Sequence, residues 1–157
     1  MIDTRAEILS GQSMGNLYMG RNIADYPVFR DPQWVRSRSV SDPQMTGRVL
    51  HYYSLGDSLY VTTEEDGVIC AIGCNERYRG RYRGVLYPGI SMGELVSLTR
   101  SQRILNGTLI VNEDYGLSFT LPFPYDEIAD ELKDIPLDTR LNEIYVEDYS
   151  FWVPKKK

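Results

Sequence analysis

The sequence predicts an α+β fold: a mostly antiparallel sheet with a few short helices, in a single domain over 1–157 that divides naturally into subrepeats 15–83 and 84–150. Two observations lead there. Short runs of alternating apolar and polar residues, rich in β-branched and aromatic types, are separated by tight-turn chemistry. An internal echo sets GNLYMGRNIADY from Gly15 against GVLYPGISMGEL from Gly84, both reading G-x-L-Y-x-G with an apolar residue and an acid further on. Self-similarity at this spacing is the mark of a repeated helix-plus-sheet module.

Each element follows in order. Both echoes predict a short strand, a Gly turn and a helix start. Asn22 and Ser91 are the expected N-caps, and Glu94, three residues after Ser91, completes a capping box. The second helix is expected to run through Leu95 and Leu98 towards Ile104. Strands are expected at Val49–Ser54, Leu59–Thr63 and Val68–Cys74, joined by LGDS and EEDG, and again at Thr108–Asn112, Leu117–Leu121 and Glu143–Tyr149, with EDYG linking the first two. Tyr26–Met45, with Pro27, Pro32 and Pro43, reads as a loop after a short helix. Between Pro122 and Arg140, the run Asp126–Lys133 allows about two helical turns with Ile128 and Leu132 facing in.

A chain of 157 residues buries enough surface to fold without staples. The N-terminus has no apolar run of signal-peptide length, and no stretch approaches the roughly 20 apolar residues of a membrane helix. A cytoplasmic protein is the expectation. Cys70 and Cys74 in a strand share a face but stand about 13 Å apart, too far for a disulfide.

Chemistry-bearing motifs are sparse. His51 is the single histidine, no H-E-x-x-H or EF-hand loop exists, and the cysteines lack the further ligands of a zinc site. G-x-S-x-G, the Walker loop and a post-strand G-x-G-x-x-G are absent too. No enzyme, metal or cofactor is expected.

Charge is the main functional clue. The net charge is −5, yet residues 1–111 are nearly balanced, with twelve arginines against eleven acids. Residues 112–149 hold eleven acids against Lys133 and Arg140. Asp126, Glu127, Asp130, Glu131 and Asp134 are expected on the outer side of the helix, beside the turn Glu113, Asp114, Tyr115 and near Tyr125. An acidic surface studded with tyrosines complements a basic partner, since tyrosines bury much area at low entropic cost and carboxylates steer encounter. The same carboxylates also serve simply as a solvated helix face.

The second charge feature is RYRGRYRG. In an extended strand Arg77, Arg79, Arg81 and Arg83 line one side and Tyr78 and Tyr82 the other. Such a row grips phosphates while tyrosines stack on bases, the basis of an alternative reading as a single-stranded nucleic-acid binder. A structural reading makes it an edge strand paired with the acidic third. A third reading is a structural or regulatory interaction protein, including a homo-oligomer through a strand edge.

The run from Gly84 to Asp148 resembles small immunity proteins encoded beside bacterial polymorphic or contact-dependent toxins, through Gly84–Gly89, Asn106–Gly107, the Asp114–Gly116 turn and the Leu141–Val146 strand. The G-x-L-Y-x-G start followed by helix and sheet is also similar in architecture to tandem-repeat inhibitors of the β-lactamase inhibitor type. Neither resemblance accounts for Arg77–Arg83. The resemblance implies a non-catalytic protein that binds a cognate toxin domain, in many cases a basic nuclease, and occludes its active site.

Overall fold

The computed structural model describes residues 2–30, 34–40, 49–55 and 58–155. The strands are β1 (Ser13–Met14), β2 (Leu17–Tyr18), β3 (Trp34–Val40), β4 (Val49–Leu55), β5 (Leu59–Glu64), β6 (Ile69–Cys74), β7 (Ile90–Ser91), β8 (Gln102–Leu105), β9 (Thr108–Val111), β10 (Leu117–Thr120), β11 (Arg140–Leu141) and β12 (Glu143–Glu147). The helices are α1 (Met92–Leu98) and the single turn α2 (Tyr125–Ile128), with short 3₁₀ turns besides. The fold is α+β and dominated by an antiparallel sheet, as the alternation predicts.

Eight strands form one sheet in the order β3-β4-β5-β6-β12-β10-β9-β8. Each half is a four-strand meander, and the halves join where β12 pairs antiparallel with β6, Val146 opposite Ile72. The glycines of the two echo motifs share their backbone conformation. Gly15 and Gly84 have φ 65° and 69°, and Gly20 and Gly89 have φ 83° and 95°, left-handed values that cost glycine nothing. Gly20 N–H donates to Ile69 C=O at 2.9 Å, and Gly89 N–H to Leu141 C=O at 2.8 Å. The first motif thus pins its turn to the start of β6, and the second pins its turn to the end of β11, two residues before β12. Leu17 and Leu86 point into the core.

One sheet face is buried. Leu59, Val61, Ile72, Leu109, Leu117, Phe119, Ile144 and Val146 project from it against Ile8, Met14, Leu17, Tyr78, Tyr82, Leu86, Met92, Leu95 and Ile135. Burying a side chain of this size contributes about 1.5–3 kcal/mol. The period-2 burial of β5, with Leu59, Val61 and Thr63 inward, is the alternation the sequence announces.

Several expectations need correction. Trp34–Val40, read as loop, is a strand paired with β4 over its full length. The helix from Ser91 ends at Leu98, and Ile104 lies in β8. Asn106 and Gly107, at φ 47° and 75°, make the two-residue turn that sends β8 back as β9. Ser91 caps α1 through a hydrogen bond from Glu94 N–H, but the Glu94 carboxylate accepts from the Tyr87 hydroxyl at 2.7 Å. Asn22 caps only a 3₁₀ turn, Ile23–Asp25. The hairpin turn at Gly56 and Asp57, and Pro32 and Pro43, lie outside the described residues. Among the described residues no helix is long and apolar enough to cross a membrane.

Candidate partner-binding surface

The acidic segment is built on a helix that stops early. Pro122 C=O accepts from the N–H groups of Tyr125 and Asp126, and Ala129 N–H closes the turn on Tyr125 C=O at 3.1 Å. Continuing would direct the N–H groups of Asp130 and Glu131 to carbonyls one turn back. Both instead donate to Oδ2 of Asp134 at 3.1 Å. A side-chain acceptor competes with the helix ladder and ends it. These bonds hold the Asp134 carboxyl below its ordinary range. Ala129 consequently turns extended at ψ 121°, and the chain resumes as the 3₁₀ turn Leu132–Asp134.

This break reverses one expectation. Ile128 does not face in: it is 62 % exposed, and Phe123 beside it is 77 % exposed. Ala129 and Ile135 enter the core instead, with Leu132 packed partly against it. Asp126, Glu127, Asp130, Glu131 and Asp134 are all exposed. Among the described residues Lys133 pairs with Glu131 at 3.0 Å. The segment is held at the sheet end by Gly107, where a Cβ would stand 2.7 Å from Asp126 C=O. Two large apolar side chains are thus exposed in a segment whose carboxylates are also exposed.

The other predicted contact residues divide. Asn112 and Glu113 both adopt left-handed φ, 53° and 56°, so the tight turn lies one residue earlier than EDYG suggests. Glu113 is exposed. Asp114 is part-buried and differs from its expected outward role: the Ser10 hydroxyl donates to one oxygen, the Tyr82 hydroxyl to the other, and Gly116 N–H adds a third bond at 3.1 Å. The Tyr115 hydroxyl accepts from the Arg103 guanidinium at 2.9 Å. Tyr125 is half-buried against the core.

Arg77–Arg83 joins no sheet and is not the single extended strand expected: Tyr78 N–H closes a turn on Asn75 C=O at 3.0 Å, and Tyr82 makes only isolated bridges, to Ile8 and Leu86. It runs beside the N-terminal segment, with Arg79 N–H donating to Thr4 C=O and Ile8 N–H to Arg81 C=O. The arginines are exposed, as alternation predicts. Tyr78 and Tyr82 are buried. The Tyr78 hydroxyl donates to Ala6 C=O at 2.6 Å and accepts from Gly15 N–H at 2.9 Å. Rings committed to the core offer no stacking platform for bases. Arg81 lies over the Tyr87 ring at 4.6 Å and Arg83 over Tyr82 at 5.6 Å. Arg83 itself turns left-handed, φ 53°, which ends the row.

Sequence reasoning missed the second face of the sheet. There Tyr60 and Tyr145 stack with centroids 6.5 Å apart, on the two sides of Gly73. With Tyr52, Ser54 and Thr62 they line a cavity of about 240 Å³. The Tyr145 hydroxyl donates to Glu143 at 3.1 Å. Towards β8 the face is closed by the chain end: Tyr149 stacks on Trp152 at 5.1 Å and accepts from the buried Ser118 hydroxyl. The period-2 spacing of Glu143, Tyr145 and Glu147 was the available signal. No cluster of histidine, cysteine and acidic residues able to hold a metal occurs among the described residues.

No protein-family model matches the chain, and no curated protein or solved structure matches it either.

Proposed function

We propose that this chain is a cytoplasmic immunity protein that binds a basic toxin domain, a nuclease among the candidates, and neutralises it by covering its active site without catalysis. One observation carries the reading: Phe123 and Ile128 stand exposed in the same nine-residue segment, 123–131, as Asp126, Glu127, Asp130 and Glu131. Apolar side chains inside a charged rim are how protein interfaces combine buried area with selection of partner charge. Ala129 and Ile135 are the apolar side chains of this stretch that enter the core, and Phe123 and Ile128 remain in solvent. The uneven distribution of charge along the chain and the resemblance of residues 84–148 to immunity proteins support the same reading.

The test is protection. Cells expressing the toxin domain encoded beside this chain should survive when the chain is co-expressed. Reversing Asp126, Glu127, Asp130 and Glu131 to lysine should abolish protection while the protein remains folded. Undiminished protection by that variant would overturn the acidic face as the docking site.

A further inference from the structure

Behind the acidic turn lies an apolar groove of about 430 Å³, lined by Met92, Val96, Leu132, Ile135, Pro136 and Leu137. We infer that this groove receives an apolar side chain from a basic, amphipathic segment of the partner protein. The inference rests on the reading above and names the chemistry that the partner brings.

The groove is preformed. Its walls are α1 and the segment leaving the 3₁₀ turn, and they are tied together by the backbone. Gly93 N–H donates to Leu137 C=O at 2.9 Å and Met92 N–H to Thr139 C=O at 2.8 Å. Gly93 permits this approach, since a Cβ there would stand 3.3 Å from Leu137 C=O. A site ordered before binding spends less free energy on conformational order. The volume lies within the roughly 300–1,000 Å³ of pockets that take a ligand-sized group. Leu137, one wall, is 68 % exposed, so the groove opens to solvent.

Charge selects the occupant. Asp130, Glu131, Asp134 and Asp138 are exposed on the segment that forms the wall. Lys133 also lines the groove, but its ammonium is directed to Glu131 at 3.0 Å. Arg140 reaches back to Gly89 C=O at 3.2 Å. An apolar hole with this rim favours a leucine or phenylalanine flanked by lysines or arginines. It disfavours the same anchor flanked by acids, because like charges at the rim repel.

Two synthetic helical peptides test this on the full chain, labelled with ¹⁵N. One places leucines at helical spacing among lysines; the other keeps the leucines and replaces each lysine by glutamate. The lysine peptide should shift the amide signals of Val96, Leu132 and Leu137, and the glutamate peptide should not. Leu137→Glu adds negative charge while removing an apolar wall. Its side chain is exposed, so the amide spectrum should remain that of a folded protein. Insertion into the groove predicts that this variant binds the lysine peptide about tenfold more weakly. Equal or tighter binding, shifts confined to Asp126–Glu131, equal binding of the glutamate peptide, or no binding of either peptide would each overturn the inference. Loss of protection in the lysine-reversal variant, with full protection by Leu137→Glu, would keep the immunity reading and remove the groove.

Discussion

The Tyr82 hydroxyl donates to Oδ2 of Asp114, 32 residues away, and so ties the end of the arginine run to the turn between β9 and β10. Both groups looked functional in the sequence, one as a base-stacking ring and the other as a partner contact. Their bond makes them parts of one internal network with Ser10.

Asp114→Ala should therefore lower stability and leave partner binding at the acidic turn unchanged. Two hydroxyl donors and the Gly116 N–H lose their acceptor together. Leaving part-buried donors unsatisfied costs about 1–3 kcal/mol. Urea denaturation measures the loss; a variant as stable as the parent would show that water replaces the carboxylate without penalty.

Gly73→Ala should disturb the centre of the sheet. A Cβ at this position would overlap the Tyr145 ring, which lies against the glycine from the neighbouring strand. Overpacking of this kind costs about 1–3 kcal/mol. The double variant Gly73→Ala with Tyr145→Leu should recover part of it. Thermal unfolding of the three proteins gives the comparison.

The two cysteines should react very differently. Burial pushes the Cys74 thiol up to about 12, with the nearby Glu143 charge adding to the rise. Cys70 is only half-buried and its thiol donates to Thr62 C=O at 3.4 Å. At pH 8 iodoacetamide should modify Cys70 and spare Cys74 in the native protein, and modify both in denaturant. Mass spectrometry of the intact chain counts the adducts. Two adducts without denaturant would mean that the β6–β12 junction opens readily.

Asp134 gives a prediction in acid. Its carboxyl titrates below the ordinary value because the N–H groups of Glu131 and Asp130 bond to the charged form. A depressed folded pKa means that the contribution is fully present above the unfolded value of 3.8 and is lost as pH falls through the folded one. The wild-type protein should lose stability over that acid interval, and Asp134→Asn should lose less across it. Identical acid profiles for the two proteins would show that the caps on Asp130 and Glu131 do not depend on charge.

The sheet was legible because its strands obey simple local rules. β5 and β12 show alternating burial, β6, β9 and β10 show buried runs bounded by turn residues, and the G-x-L-Y-x-G echoes place matching glycines where left-handed backbone is required. β8 and β3 were read otherwise for identifiable reasons. The apolar spacing of Leu95, Leu98 and Ile104 favours a longer helix, although Asn106–Gly107 is itself a hairpin signal. The prolines around Trp34–Val40 pointed to a loop, yet β4 offers that segment a complete row of backbone partners.

The amino-acid sequence by itself determined the class of fold, the doubled pattern of turns, and the concentration of negative charge near the C-terminal end. These depend on backbone conformation and composition, which are local properties. Only the tertiary structure decided which side chains are left exposed. Tyr78, Tyr82 and Asp114 are consumed by bonds to residues far away in the chain, while Asp134 takes two N–H groups from α2's continuation and turns Ile128 outward. Hydrogen bonds across the fold compete with local periodicity, and that competition is settled only when the distant partners are in place.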